Sequence, residues 1–69
     1  MELSARNVVK GKIIELDEGA VNVEVALEVA AGVVLTSIIT KKSAERLGLK
    51  VGGTAYAVVK ASNVMLGID

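Results

Sequence analysis

A chain of 69 residues, 52% apolar, with eight basic and eight acidic side chains and neither cysteine nor histidine, excludes several function classes at once. Disulfide stapling is impossible, the commonest soft-metal ligands are missing so that no free metal cation is expected, and a formal charge of zero gives no global field for nucleic acid or an anionic membrane. A single core of this size is marginal on its own, which points to oligomerisation as the stabilising device.

Tyr56 is the one aromatic residue, so the core must be built from Val, Ala, Ile and Leu. No apolar stretch approaches the roughly 20 residues needed to span a membrane. Glu2, Arg6 and Lys10 stand where a secretory signal would need its apolar segment. The expectation is a soluble, cytoplasmic protein with no membrane partner.

Residues 8–16 form the first β-prone run, and Gly19 then permits a tight connection. Val21, Val23, Val25, Leu27 and Val29 alternate with Asn22, Glu24, Ala26 and Glu28, the period-two pattern of a strand with one buried face. After Gly32, residues 33–39 are apolar at almost every position, as are residues 55–59. Both faces of those strands need apolar cover, and a small barrel has only one inside; the second face predicts a further copy of the chain. Between them, TKKSAERLGLKVGG holds the one plausible helix, two turns at most. Thr40 or Ser43 caps its start, and Gly48 followed by Leu49 supplies a stop with its apolar contact. These elements predict an all-β fold over residues 1–69, a single domain: a five-stranded, mostly antiparallel barrel of the OB-like kind with one short helix.

Catalysis has little to work with, and no enzyme is expected. Glu15, Asp17 and Glu18 cluster beside a glycine turn, where a solvated turn is the ordinary reading, and neither a P-loop nor a GxGxxG pattern is present. Anion binding has more. In a strand, Ser4 and Arg6 share a face and set a hydroxyl beside a fixed cation; Lys60 and Ser62 repeat that combination. Thr40 and Ser43 stand at the predicted helix start, where unpaired N–H groups and the helix dipole favour negative charge. The same residues also serve as plain surface charges, helix caps and a strand-edge serine, and spacing alone divides the two readings evenly. In EGAVN, Gly19 allows a turn whose successive N–H groups can cradle an anion, although a simple hairpin is the default.

Four stretches, LSARNVVKGKI at 3–13, EGAVNVEV at 18–25, IITKKSAERLGL at 38–49 and AYAVVKASNVMLGID at 55–69, together resemble the molbindin family. These are small molybdate- and tungstate-binding proteins whose Mop domain also occurs in molybdate-responsive regulators and transporter ATPase subunits. The resemblance covers essentially the whole chain, in order. It implies that Ser4, Arg6, Lys60, Ala61 and Ser62 contact the oxyanion from one subunit while Thr40 and Ser43 contact it from a neighbour. It further implies a second kind of oxyanion site at Gly19, Ala20, Val21 and Asn22 near a threefold axis. The family assembles as a homohexamer, a trimer of dimers, with sites between subunits. Two departures stand out: Lys41 and Lys42 fill the middle of T-x-x-S, and Asn63 follows K-A-S where a second serine is common.

A tetrahedral dianion only accepts hydrogen bonds, so its site should offer hydroxyl, amide and cationic donors and no nearby carboxylate. Selection against sulfate then rests on cavity size, since molybdate and tungstate share its charge and shape but have longer bonds to oxygen. The ligand arrives as an intact oxyanion, so neither a protein–metal bond nor an organic cofactor is needed. With its ends close to those of the domain, the chain is expected to act in storage or homeostasis rather than as a sensor. The alternative is a β-barrel oligomerisation or interaction module without a small-molecule ligand. A single-stranded nucleic-acid platform is disfavoured because Tyr56 alone could stack a base.

Overall fold

The structure, a computed structural model, describes residues 6–69. It contains strands β1 (Asn7–Glu18), β2 (Asn22–Ala30) and β3 (Val33–Thr40), helix α1 (Lys41–Leu47), strand β4 (Thr54–Val59) and a single 3-10 turn (Ala61–Asn63). The strands make one antiparallel sheet in the order β3-β2-β1-β4.

Strand β1 organises the sheet because it serves two partners in succession. Its first half, Asn7 to Lys12, pairs with β4, and its second half, Lys12 to Glu18, pairs with β2. Two features let it turn from one to the other. At Gly11 a Cβ would lie 2.7 Å from the Leu27 side chain and 2.8 Å from the Glu28 carbonyl, so only a glycine lets β2 approach this closely. At Ile14 a register shift between Ile13 and Glu15 adds one residue to β1. That bulge brings both Ile13 and Leu16 onto the face opposite β2's buried residues and leaves Ile14 exposed. The Ile13 backbone is satisfied by the loop before β4, donating to the Gly53 carbonyl at 2.8 Å and accepting from Gly52 N–H at 2.8 Å.

The buried core is Ile13, Val23, Val25 and Leu27, with Leu16, Val29, Ile39, Ala44, Leu49, Ala55 and Ala57 packed around it. The alternation expected of β2 is present: Val23, Val25 and Leu27 face in, and Asn22 and Glu24 face water. Val21 precedes the strand and is exposed. Helix α1 begins and ends as its sequence requires. Thr40 caps it, and Gly48 at φ +65° closes it in the left-handed conformation that glycine adopts without a Cβ penalty. The Leu49 N–H reaches back to the Ala44 carbonyl at 3.2 Å, and Leu49 packs on the core.

The strand count differs from the five expected: four strands are formed among the described residues. The β-branched run stops at Val59, the 3-10 turn redirects the chain, and residues 64–69 continue without a strand partner in the same chain. Met65, Leu66 and Ile68 there are at least 93% exposed. The sheet curls without closing, so β3 and β4 are its two edges, and an apolar groove lined by Leu27, Leu35, Ile39, Leu49, Tyr56 and Val58 lies between them. No helix among the described residues is long and apolar enough to cross a membrane.

Candidate functional site

The expected site residues fall into two groups at opposite ends of β1. Arg6 stands immediately before that strand and Lys60 immediately after β4. The β1–β4 ladder ends by pairing Asn7 with Val59, so the next step of its register sets Arg6 against Lys60. Two exposed cations thus stand at one corner of the sheet. Ser4, the hydroxyl expected beside Arg6, lies outside the described residues.

Lys60 and Ser62 do not share a strand face, contrary to the expectation from their spacing. Lys60 is extended, with φ −64° and ψ 132°, and Ala61–Asn63 form the 3-10 turn. That turn is closed by Asn63 N–H donating to the Lys60 carbonyl at 2.8 Å and Val64 N–H donating to the Ala61 carbonyl at 3.3 Å. Its closure uses the amides of Asn63 and Val64 and not those of Ala61 and Ser62, the first two of the turn. The corner therefore combines two cations, the Ser62 hydroxyl and two backbone donors whose positions are fixed by the turn. Sequence spacing treated K-A-S as strand and missed the amides; the signal available was the change from β-branched residues to Ala-Ser-Asn after Val59.

The second group gathers where β1 ends. Thr40 pairs with Asn22 across the β2–β3 ladder, and Lys41 N–H donates to the Val21 carbonyl at 2.9 Å. The start of α1 and the Gly19, Ala20, Val21, Asn22 turn are consequently neighbours. Thr40 Oγ1 accepts from Ser43 N–H at 3.1 Å and donates to Ser43 Oγ at 2.9 Å. The capping role is realised, and with Thr40 donating, Ser43 retains its own hydroxyl proton to give. The Gly19–Asn22 turn is closed by Gly19 N–H donating to the Asn22 carbonyl at 2.8 Å. Gly19 and Asn22 line a shallow hollow together with Asp17, Glu24 and Ile38.

Within one chain, then, Arg6, Lys60, Ala61 and Ser62 lie at one end of β1, and Thr40 and Ser43 lie beside the Gly19–Asn22 turn at the other. The two groups are separated by the 12-residue β1 strand, in a molecule whose longest extent is 35 Å. Among the described residues no group of His, Cys, Asp or Glu has the arrangement to hold a metal ion. No buried side-chain polar atom among them lacks a hydrogen-bond partner. Among the described residues the candidate donors lie at the surface, where a ligand or another chain can reach them.

Residues 3–66 match the TOBE domain family. Among curated relatives, molybdenum-pterin-binding protein 2 of Clostridium pasteurianum is 50% identical over 66 residues, covering 96% of this chain and 97% of that one. Among solved structures, MopII from Clostridium pasteurianum superimposes with a TM-score of 0.90 at 48% identity over 97% of this chain and 100% of that one. The cytoplasmic molybdate-binding protein ModG, in a form with molybdate bound, gives a TM-score of 0.94 at 48% identity, covering all of this chain and 49% of that one. Strand order, helix position and sequence agree along nearly the full length, and the chain belongs to the TOBE domain family, among its small molbindin, or Mop, members.

Proposed function

We propose that this protein binds tetrahedral oxyanions, molybdate or tungstate, at sites shared between copies of a homo-oligomer, and serves intracellular storage or homeostasis of the anion. The observation that carries the reading is the corner to which the β1–β4 register brings Arg6 and Lys60, next to the Ala61–Asn63 turn, in a chain whose relatives are described as molybdenum-pterin-binding and molybdate-binding proteins. Two cations oppose the two charges of the anion. The amides are set by backbone geometry, so they size the cavity rather than adapt to it, which suits discrimination of molybdate from the smaller sulfate. Ser4 adds a hydroxyl from the preceding residues. The binding is non-covalent and calls for neither catalysis nor an organic cofactor.

Thr40 and Ser43 join this site from a second copy, because β1 separates them from Arg6 and Lys60 in their own chain. The same assembly accounts for the apolar surface. Neither edge strand, VVLTSIIT or TAYAVV, carries a charge or a proline, devices that ordinarily keep an exposed edge from pairing. The apolar groove between those edges suits the segment VMLGID at residues 64–69, whose Met65, Leu66 and Ile68 are almost fully exposed on their own chain. A tail from one copy completing the sheet of another supplies the missing fifth strand, and a homohexamer arranged as a trimer of dimers supplies the shared corners. A cytoplasmic location fits the reading, as ModG is described as cytoplasmic.

Calorimetric titration with molybdate, tungstate and sulfate in parallel tests this function. Saturable heats from the first two, with little from sulfate, are expected. The open groove also favours a second reading, an interaction module with no small ligand. Absence of heat from all three anions, in folded protein freed of bound anion, would establish that reading instead.

A further inference from the structure

A formal charge of zero conceals a division of charge along the chain. Residues 13–40 carry five carboxylates and no lysine or arginine, whereas residues 41–60 carry five cations and the single carboxylate of Glu45. Folding concentrates each set further. The carboxylates stand on β1 and β2, where Asp17 is paired directly with Glu24 and both are exposed. Directly opposed strand partners have Cβ atoms about 4.5 to 5.5 Å apart, and like charges placed so repel.

The cations gather on α1 and just beyond it. Lys42 and Arg46 stand four apart on the helix and are exposed, with Lys50 exposed after its end. Residues at that separation share one face with Cβ atoms about 5 to 6 Å apart, and a like-charge pair there is again destabilising. Neither pair is relieved within its own chain. The first turn of α1 has no acidic residue, and the side-chain hydrogen bonds among the described residues are those between Thr40 and Ser43.

Each patch is unfavourable alone and complementary to the other, two carboxylates against two cations at nearly the same spacing. Lys41 N–H donates to the Val21 carbonyl at 2.9 Å, so the helix starts beside the β1–β2 connection and each copy presents both patches on one side. A closed arrangement of copies then pairs both at once. We infer that the face of α1 bearing Lys42 and Arg46 docks on the face of Asp17 and Glu24 in a second copy of this chain. The inference rests on the homo-oligomer proposed above and names a contact in it, separate from the tail and the groove. Charge pairs of this kind fix register and exclude wrong partners.

The test is a charge exchange read by light scattering at low ionic strength, where charges are least screened. In K42E/R46E both patches are acidic, and in D17K/E24K both are basic. Each variant alone is expected to form smaller species than the wild type. An equimolar mixture of the two, dissociated and reassembled, is expected to return to the wild-type mass, because every acidic face then meets a basic one; two misfolded chains would not rescue each other. Either variant holding the wild-type mass alone overturns the inference. A third chain, D17K/E24K/K42E/R46E, locates the pairing: if it assembles while the mixture does not, the patches pair inside one chain and the inference fails. A wild type that is monomeric at every concentration overturns the homo-oligomer and this contact with it, an outcome distinct from either variant keeping its mass.

Discussion

Arg6 and Lys60 come from opposite ends of the sequence and become neighbours only because β1 and β4 pair in one particular register. Removing the guanidinium leaves a dianion facing one cation and the neutral donors. A hydrogen bond to a charged group contributes about 1.5 to 3 kcal/mol, so Arg6→Ala is expected to weaken molybdate binding about ten- to hundredfold. Titration calorimetry at fixed ionic strength reads this directly, and unchanged affinity would remove Arg6 from the site. Gly11 makes a different residue-level claim. With Leu27 and the Glu28 carbonyl under 3.0 Å from where its Cβ would sit, Gly11→Ala must push β2 away from β1. Overpacking of this kind costs about 1 to 3 kcal/mol, visible as a lower urea midpoint at unchanged m-value. Sequence reading passed over Gly11 because an isolated glycine inside a β-prone run carries no mark of what approaches it; the cause is Leu27, sixteen positions away, and only the pairing reveals it.

Among the elements, those governed by local chemistry were the most readable. The period-two pattern of β2 and the Thr40 and Gly48 caps of α1 each follow from residues within a few positions of one another, and each is present. The bulge at Ile14 was not readable, since IIEL is equally good strand in either register; it is set by the need to turn Ile13 and Leu16 to the same face. The K-A-S turn was missed for a related reason, as strand alternation was carried past Val59 through Ser62. The α1 cap offers a check at this scale. Thr40→Ala removes the oxygen that accepts from Ser43 N–H and is expected to cost about 1 kcal/mol of stability. Thr40→Ser keeps that oxygen and should retain most of it; equal losses in both variants would deny the cap its role.

At the scale of the whole molecule, the surplus of apolar surface was evident from composition, whereas its division into a groove and an unpaired tail was not. Composition counts apolar residues without regard to topology, and the expected five-strand barrel assumed that every strand pairs inside its own chain. Only four do among the described residues, and Met65, Leu66 and Ile68 stand clear of the sheet. Deleting residues 64–69 removes nothing from the buried core, yet it is expected to break the assembly into smaller species by light scattering while circular dichroism retains the β signal. An unchanged oligomer would place the contacts elsewhere.

The claim on which the function turns is that one oxyanion is held by two copies of the chain, Arg6 and Lys60 from one and Thr40 and Ser43 from the other. The most direct test prepares Arg6→Ala and Ser43→Ala separately, then dissociates, mixes and reassembles them before titration with molybdate. Each variant alone spoils every site, whereas a mixed oligomer joins an intact Arg6 half to an intact Ser43 half at some of its sites. The account predicts that the mixture recovers a fraction of wild-type, high-affinity sites that neither parent has. A mixture that binds no better than its parents would contradict it.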